Sequence, residues 1–436
     1  MSAMSIHLRK CLDVTPNGVI RPGSLQDYRV LRAQPWWPAL RATSSHLRLW
    51  ADWPTLQPDA GVAIDDPASR GRPNLLAFDE QIRLAAADGL RVILMPYRYP
   101  RWANGTAAID PASDENLLFE PENRVRSQLF LDWWTRRGTP EAAATREALR
   151  RGMKALEYRL PPTGHAPGSP WARYVEFLLR RWGRAIDYLE VVNEPNLQLW
   201  PQRSPSDRPD DPEGRFDVTG SRLTVHVAIA QMMATADVLV RRSGRDVRLL
   251  GPSHSDADSP RPRQVTVHTT TPYSEVQEPF VESLLDELER IGFLGNARWT
   301  WAFHDYNDME LDQLRVRSLR ARLEGRWRGT RRDGGPELYC TEGGVRLSRI
   351  RARYGAALPY DEVLRRQAEV LRAAVLRHHT AAGAGSGVGL MTQYTVTADP
   401  NYDCALREVG GEPRPAFDAW AAIPEGRLPR PVLGPA

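Results

Sequence analysis

Two glutamates stand where a carboxylate could do chemistry. In AIDYLEVVNEPNLQLW an apolar, strand-like run ends in Asn193, Glu194 and Pro195. Proline disfavours the α conformation for the residue before it, so Glu194 is expected to be extended as the strand ends. In ELYCTEGGVR a second short strand ends on Glu342, followed by Gly343 and Gly344. Those glycines are expected to let the backbone turn sharply and to keep bulk away from the carboxylate. Two carboxyl groups converging on one cleft suit cleavage of a glycosidic bond, because one protonates the leaving oxygen while the other meets the cationic anomeric carbon. At a separation of about 5–5.5 Å the second attacks directly and configuration is retained. Glu194 is read as the acid/base, Glu342 as the nucleophile, and Asn193 as a hydrogen-bond partner for a sugar hydroxyl beside the reacting carbon.

Such a pair needs groups that hold one carboxyl ionised while the other keeps its proton. Arg48, in HLRLWADW, and His304 and Tyr306, in WTWAFHDYND, are the candidates. An Arg or Tyr bonded to Glu342 is expected to lower its pKa and orient it, with the imidazole positioning a neighbour or a substrate hydroxyl. Trp36, Trp37, Trp53, Trp102, Trp200 and Trp301 fall near expected strand ends, where flat aromatic faces pack on sugar rings. Asp52, Asp305, Asp399 and Asp403 are further candidates for bonding hydroxyls.

The elements that must position these residues alternate along the chain. Apolar, β-rich runs at His7–Val14, His46–Trp50, Arg91–Met95, Ala185–Val192, Val247–Gly251, Trp299–His304, Glu337–Thr341 and Val388–Tyr394 predict eight strands. Amphipathic patterns at Phe78–Asp88, Trp171–Arg184, Arg222–Arg242, Pro279–Gly292, Leu311–Trp327 and Tyr360–Ala382 predict helices between them. This order predicts an α/β fold, a (β/α)₈ barrel spanning residues 1–425, whose strand carboxyl ends handle substrate. Two connections on that face are too long for plain loops: about 97–170, which includes a charged helical pattern near Pro140–Tyr158, and 252–278. Residues 426–436 read as a Pro-rich tail.

Composition narrows the alternatives. The 58 basic residues include only two lysines, Lys10 and Lys154, and the arginines sit beside acidic residues instead of forming a basic stripe, which argues against nucleic-acid binding. Cys11, Cys340 and Cys404 have no CxxC spacing and read as buried thiols. No HExxH, EF-hand, Walker loop or serine elbow occurs, so the reading calls for no metal and no cofactor. No run of eighteen apolar residues predicts a membrane span, and MSAMSIHLRKCLDV lacks the apolar core of an export signal. The expected location is cytoplasmic, although an exported chain after processing would read the same way.

These motifs resemble clan A of the glycoside hydrolases, which includes cellulase-like family 5 and xylosidase-like family 39. NEPNLQLW in particular is similar to the corresponding stretch of family 39. The resemblance implies a retaining TIM barrel in which Asn193 and Glu194 follow the fourth strand and Glu342 ends the seventh. Arg48 would assist from the second strand, and His304 or Tyr306 from the sixth. Two departures stand out. LMTQYTVTAD occupies the eighth-strand end, where the clan often carries Trp, so Gln393 or Tyr394 is the expected substitute. MPYRYPRW ends the third strand, where many family 5 members place a His. The expected activity is hydrolysis of a β-linked glycoside with retention. A non-hydrolytic glycan-binding barrel and a transglycosylase using the same residues are the alternatives.

Overall fold

The structure, a computed structural model, describes residues 8–14, 27–100, 102–103, 166–196, 225–256, 277–296, 298–311, 315–327, 336–379, 387–398 and 403–425. The Pro140–Tyr158 pattern, most of both long connections, the tail, Trp200 and Asp399 lie outside these residues. Eight parallel strands close into a barrel in chain order: β1 Arg9–Asp13, β2 His46–Asp52, β3 Arg91–Tyr97, β4 Tyr188–Glu190, β5 Arg248–Ser255, β6 Trp299–Asp305, β7 Leu338–Gly343 and β8 Val388–Tyr394. All eight expected strands are present.

Helices cover the barrel because their sequences carry one apolar face. In Pro170–Trp182 the buried Trp171, Tyr174, Val175, Leu178 and Trp182 recur at helical spacing, and the Ser169 hydroxyl accepts the N–H of Ala172 at the first turn. The helix expected at Phe78 begins earlier, at Arg72, because Pro73 fits a first helical turn. Of the expected Leu311–Trp327 helix, Arg315–Trp327 is helical, and Leu311 closes a short described helix that begins at Asn307. Among the described residues no helix is long and apolar enough to cross a membrane.

Strand alternation decides which side chains reach the barrel axis. Along β6, Trp299, Trp301 and Phe303 pack outward into the sheet–helix layer, whereas Ala302 joins the interior with Cys11, Ile93, Tyr188, Leu250, Tyr339 and Leu390. Above that interior layer Trp50, Met95, Tyr306, Tyr394 and Cys404 form a small cluster. All three cysteines are buried free thiols, as expected.

Two irregularities break the alternation. The register of β5 against β6 shifts between Pro252 and His254, where Ser253 has a φ of 51°. The strand therefore continues to Ser255 instead of stopping at Gly251. A bulge tolerates the missing N–H of Pro252. In β7, Phe303 pairs with Cys340 and the next residue, His304, with Glu342, so β7 carries one extra residue there.

Candidate active site

The β7 irregularity delivers the nucleophile candidate. Tyr339 faces the barrel interior and Cys340 faces outward, so strict alternation would send Thr341 inward and Glu342 out. With the extra residue, both reach the axis: Thr341 Oγ1 donates to Glu190 Oε1 at 2.9 Å, and Glu342 joins Arg48 and Tyr306. The following glycines serve a different purpose from the one expected, since neither has a positive φ. They are needed for close packing: a Cβ on Gly343 would lie 3.0 Å from both Cys340 Sγ and Met309 Sδ, and one on Gly344 3.0 Å from Cys404. Gly343→Ala should therefore cost about 1–3 kcal/mol. Urea unfolding checks this, and an unchanged midpoint would show that the neighbours yield freely.

Glu194 differs from the expectation in its backbone. It has a φ of 43°, in the left-handed region, and is not extended. Proline disfavours the right-handed α region but leaves this one accessible. The conformation is strained, by roughly 1–3 kcal/mol for a residue with a side chain. It is held by the N–H of Glu194 donating to Ser253 O at 3.0 Å, from the β5 bulge, and by His304 Nδ1 at 2.9 Å from Glu194 Oε1. Arg98, Ser253 and Thr395 share positive φ values, so the strained residues gather at the carboxyl ends of β3, β4, β5 and β8.

Arg48 organises the floor of the site and is fully buried. Its Nη1 donates to Glu342 Oε1 at 2.5 Å and Asp13 Oδ2 at 2.8 Å; Nε and Nη2 grip Glu190 at 2.6 and 3.0 Å; Nη2 also reaches Asn193 Oδ1 at 2.9 Å. Because a guanidinium only donates, the Asn193 oxygen faces Arg48 and its NH₂ is turned the other way. The Tyr306 hydroxyl donates to Glu342 Oε2 at 3.0 Å, and His304 Nδ1 lies 3.4 Å from the same oxygen. One ligand-type atom each from Glu194, His304 and Glu342 falls within 4.8 Å of the others. Such a trio could in principle hold a cation. Here, however, the guanidinium and the phenol already occupy both oxygens of Glu342, an arrangement suited to a carboxylate that reacts.

Four carboxylates, Asp13, Glu190, Glu194 and Glu342, surround two basic groups, Arg48 and His304. That excess of acid controls the protonation. Burial opposes the Arg48 charge, but Glu190, Glu342 and Asp13 outweigh it and hold the guanidinium charged well above its ordinary range. Burial likewise opposes charging of Glu190, yet Arg48 and His304 prevail and hold it at about 2. For His304, burial is overcome by Glu342, Glu190 and Glu194, which raise it to about 10. Glu342 goes the other way from the expectation. Burial, reinforced by Glu194 and Asp13, raises it to about 7 against the pull of His304 and Arg48. Arg48 does bond Glu342, but it is shared with two other buried carboxylates and so cannot offset the full cost of desolvation.

Arg48, Asn193, Glu194, His304, Tyr306 and Glu342 thus come together at one barrel end, with Tyr394 set edge-on to Tyr306 at 6.2 Å. Other candidates do not. Trp53 is buried, stacked on Tyr174 at 4.6 Å with its N–H on Gln57, and Trp301 is buried in the outward-facing layer. Gln393 donates to the carbonyls of Tyr394 and Cys404 and serves as a tie between β8 and the following loop. Trp102 donates to Gln57 O, meets Trp53 edge-on, and lines a cleft of about 410 Å³ between segment 57–65 and helix Pro170–Trp182, whose walls include none of Asp13, Glu190, Glu194 and Glu342. Trp37 lies in the core, and Trp36 carries the Arg407 guanidinium. Asp52 pairs with Arg98 and Asp403 with Arg414.

Asp13, Glu190, Trp50 and Asp256 were missed in the sequence. Trp50 donates to Asp13 at 2.9 Å and lies over Arg48 at 4.7 Å. Asp256 Oδ2 accepts the N–H groups of Tyr306, Asn307 and Asp308 at 3.1, 2.6 and 3.1 Å, and so fixes the turn that carries Tyr306. A signal existed for two of them: Asp13 and Glu190 are carboxylates inside otherwise apolar strands, where an unpaired charge would be costly.

No family model and no curated protein matches the sequence. Among solved structures, the chain is similar to a family 39 glycoside hydrolase from the gut symbiont Bacteroides cellulosilyticus WH2, with a TM-score of 0.50 and 12% identity over 96% of this chain. The chain spans 63% of that structure's length. A fungal β-1,4-galactanase matches with a TM-score of 0.48 and 12% identity over 96% of this chain and 100% of that one. A monomeric β-xylosidase from Caulobacter crescentus CB15 matches with a TM-score of 0.48 and 14% identity over 97% of this chain and 69% of that one. At such identities the likeness to the first of these establishes the shared barrel fold.

Proposed function

We propose that the protein hydrolyses a β-linked glycoside with retention of configuration, Glu194 acting as acid/base and Glu342 as nucleophile. The observation that carries this is the approach of the two carboxyl groups, an oxygen of each lying within 4.8 Å at one end of the barrel. So close an approach favours direct attack, for which the carboxyl groups stand roughly 5–5.5 Å apart, over an inverting pair, which needs about 6.5–9.5 Å to admit a water. In the first half-reaction Glu342 attacks the anomeric carbon while the proton on the His304–Glu194 line passes through Glu194 to the leaving oxygen. In the second, Glu194 takes a proton from the water that attacks the same carbon, and Glu342 departs as carboxylate. Asn193 offers its NH₂ to a neighbouring hydroxyl, and no cofactor takes part.

A panel of aryl glycosides of glucose, galactose, mannose, xylose, arabinose and rhamnose identifies the sugar. NMR of the first product formed from the active member then tests the mechanism. Product of the same anomeric configuration as the substrate is expected; the opposite anomer would rule out the covalent route.

The pKa of Glu342 sets a pH profile. Attack requires the ionised carboxylate, so on a substrate with a good leaving group kcat/KM should fall as pH drops through about 7, far above the usual range of a glutamate. Because the Glu194 charge helps raise Glu342, Glu194→Gln should move this acid limb to lower pH. A limb that stays in place in that variant would show that the two carboxyls are not coupled.

A further inference from the structure

Behind the site, on the far side of the segment His304–Asp308, lies a second group of titratable side chains that the proposed reaction does not use. Asp305 ends β6, Asp308 sits in the short helix Asn307–Leu311, and His378 comes from the helix Tyr360–His379. All three are buried, Asp305 completely. One ligand-type atom from each lies within 4.8 Å of the others. His378 Nε2 is 2.5 Å from Asp305 Oδ2 and 3.9 Å from Asp308 Oδ2. Neither oxygen of Asp305 has a hydrogen-bond donor of acceptable geometry among the described residues, despite the closeness of the imidazole. A buried carboxylate without donors is costly, so this one calls for a positive partner along its oxygen lone pairs.

We infer that Asp305, Asp308 and His378 bind a zinc ion that braces the segment carrying His304 and Tyr306. Two carboxylates and an imidazole form a mixed oxygen and nitrogen set, which favours zinc over the hard cations calcium and magnesium. A tetrahedral zinc ion with bonds of about 2.0–2.1 Å holds its ligand atoms about 3.3 Å apart. The 2.5 and 3.9 Å separations fall on either side of that value. A solvent oxygen completes the coordination. The ion joins β6 to two helices and fixes both ends of the turn whose middle carries Tyr306, the residue that donates to Glu342. Sequence spacing hides the site, because the ligands are 3 and 70 residues apart and form no known metal motif. The inference does not depend on the glycosidase reading.

The test is elemental analysis of the full-length protein after equilibration with zinc and removal of the excess. About one zinc per chain is expected, with a melting temperature that falls on chelation and returns with zinc. Asp308→Asn and His378→Gln should each lower the zinc content at least about tenfold. Glu342→Gln should keep the metal, which separates this site from the Glu194, His304 and Glu342 trio. Wild-type protein that retains no zinc and does not melt higher with it would overturn the inference, as would zinc lost through Glu342→Gln and kept by both other variants.

Discussion

Glu342→Ala should lower kcat/KM on the best aryl glycoside by at least ~10⁴-fold, equivalent to about 5.5 kcal/mol of transition-state stabilisation. No other carboxylate can take its place, because Asp13 and Glu190 are fully buried against Arg48. Glu194→Ala should behave differently. A very good leaving group departs without protonation, so its first step survives while hydrolysis of the intermediate slows for want of a base. Azide, which needs no base, should restore turnover and yield a glycosyl azide of retained configuration. An inverted azide from Glu194→Ala together with a retained azide from Glu342→Ala would exchange the two roles. Glu342→Gln offers a check on folding with a definite sign. A carboxyl whose pKa is raised by folding stabilises the fold fully below its unfolded value, near 4.5, and loses that contribution as pH rises through about 7. The glutamine variant should therefore gain stability relative to wild type as pH rises between those values, and a variant that loses stability relative to wild type over that range would contradict the raised pKa.

Arg48→Met should have the second large effect, on both stability and rate. The guanidinium is the common partner of Asp13, Glu190 and Glu342, so its loss leaves three carboxylates in a buried site with only His304 to balance them. Breaking a buried pair in this way costs about 3–5 kcal/mol, and three partners place the change at the upper end. Glu342 loses a charge that had been holding its pKa down, so the acid limb of kcat/KM should move upward and activity at pH 7 should fall by at least ~10²-fold. Arg48→Lys keeps the charge but replaces several directed donors with one ammonium. It should fold better than the methionine variant, place its acid limb between those of the methionine variant and wild type, and remain well below wild type in rate. A methionine variant that matched wild type in stability and pH profile would show that Arg48 is not the organiser of the site.

The barrel was legible because its alternation of β-rich runs and amphipathic helices is a long-period signal that survives local irregularity. All eight strands follow from it, and Glu194, Glu342, Arg48, His304 and Tyr306, read from the residues at the strand ends, lie together at one end of the barrel. Single-residue effects were harder to see. A β-bulge carries no composition signal, so neither the inward turn of Glu342 nor the extension of β5 through Pro252 could be read from residue types. Trp301 illustrates a signal that was present and went unused: two residues behind Phe303 and three before His304, it has the outward parity of the strand. The raised pKa of Glu342 depends on how many carboxylates share Arg48, which is a property of packing across β1, β2, β4 and β7.

The central claim is that Glu342 forms a covalent bond to the sugar. A 2-deoxy-2-fluoro glycoside of the preferred sugar, bearing an activated leaving group, slows the second step more than the first and lets that intermediate accumulate. Intact-protein mass spectrometry should show the addition of one fluorosugar, and fragmentation of the digested protein should place it on Glu342. A label on Glu194 or any other residue, or turnover to the inverted product without a label, would contradict the account.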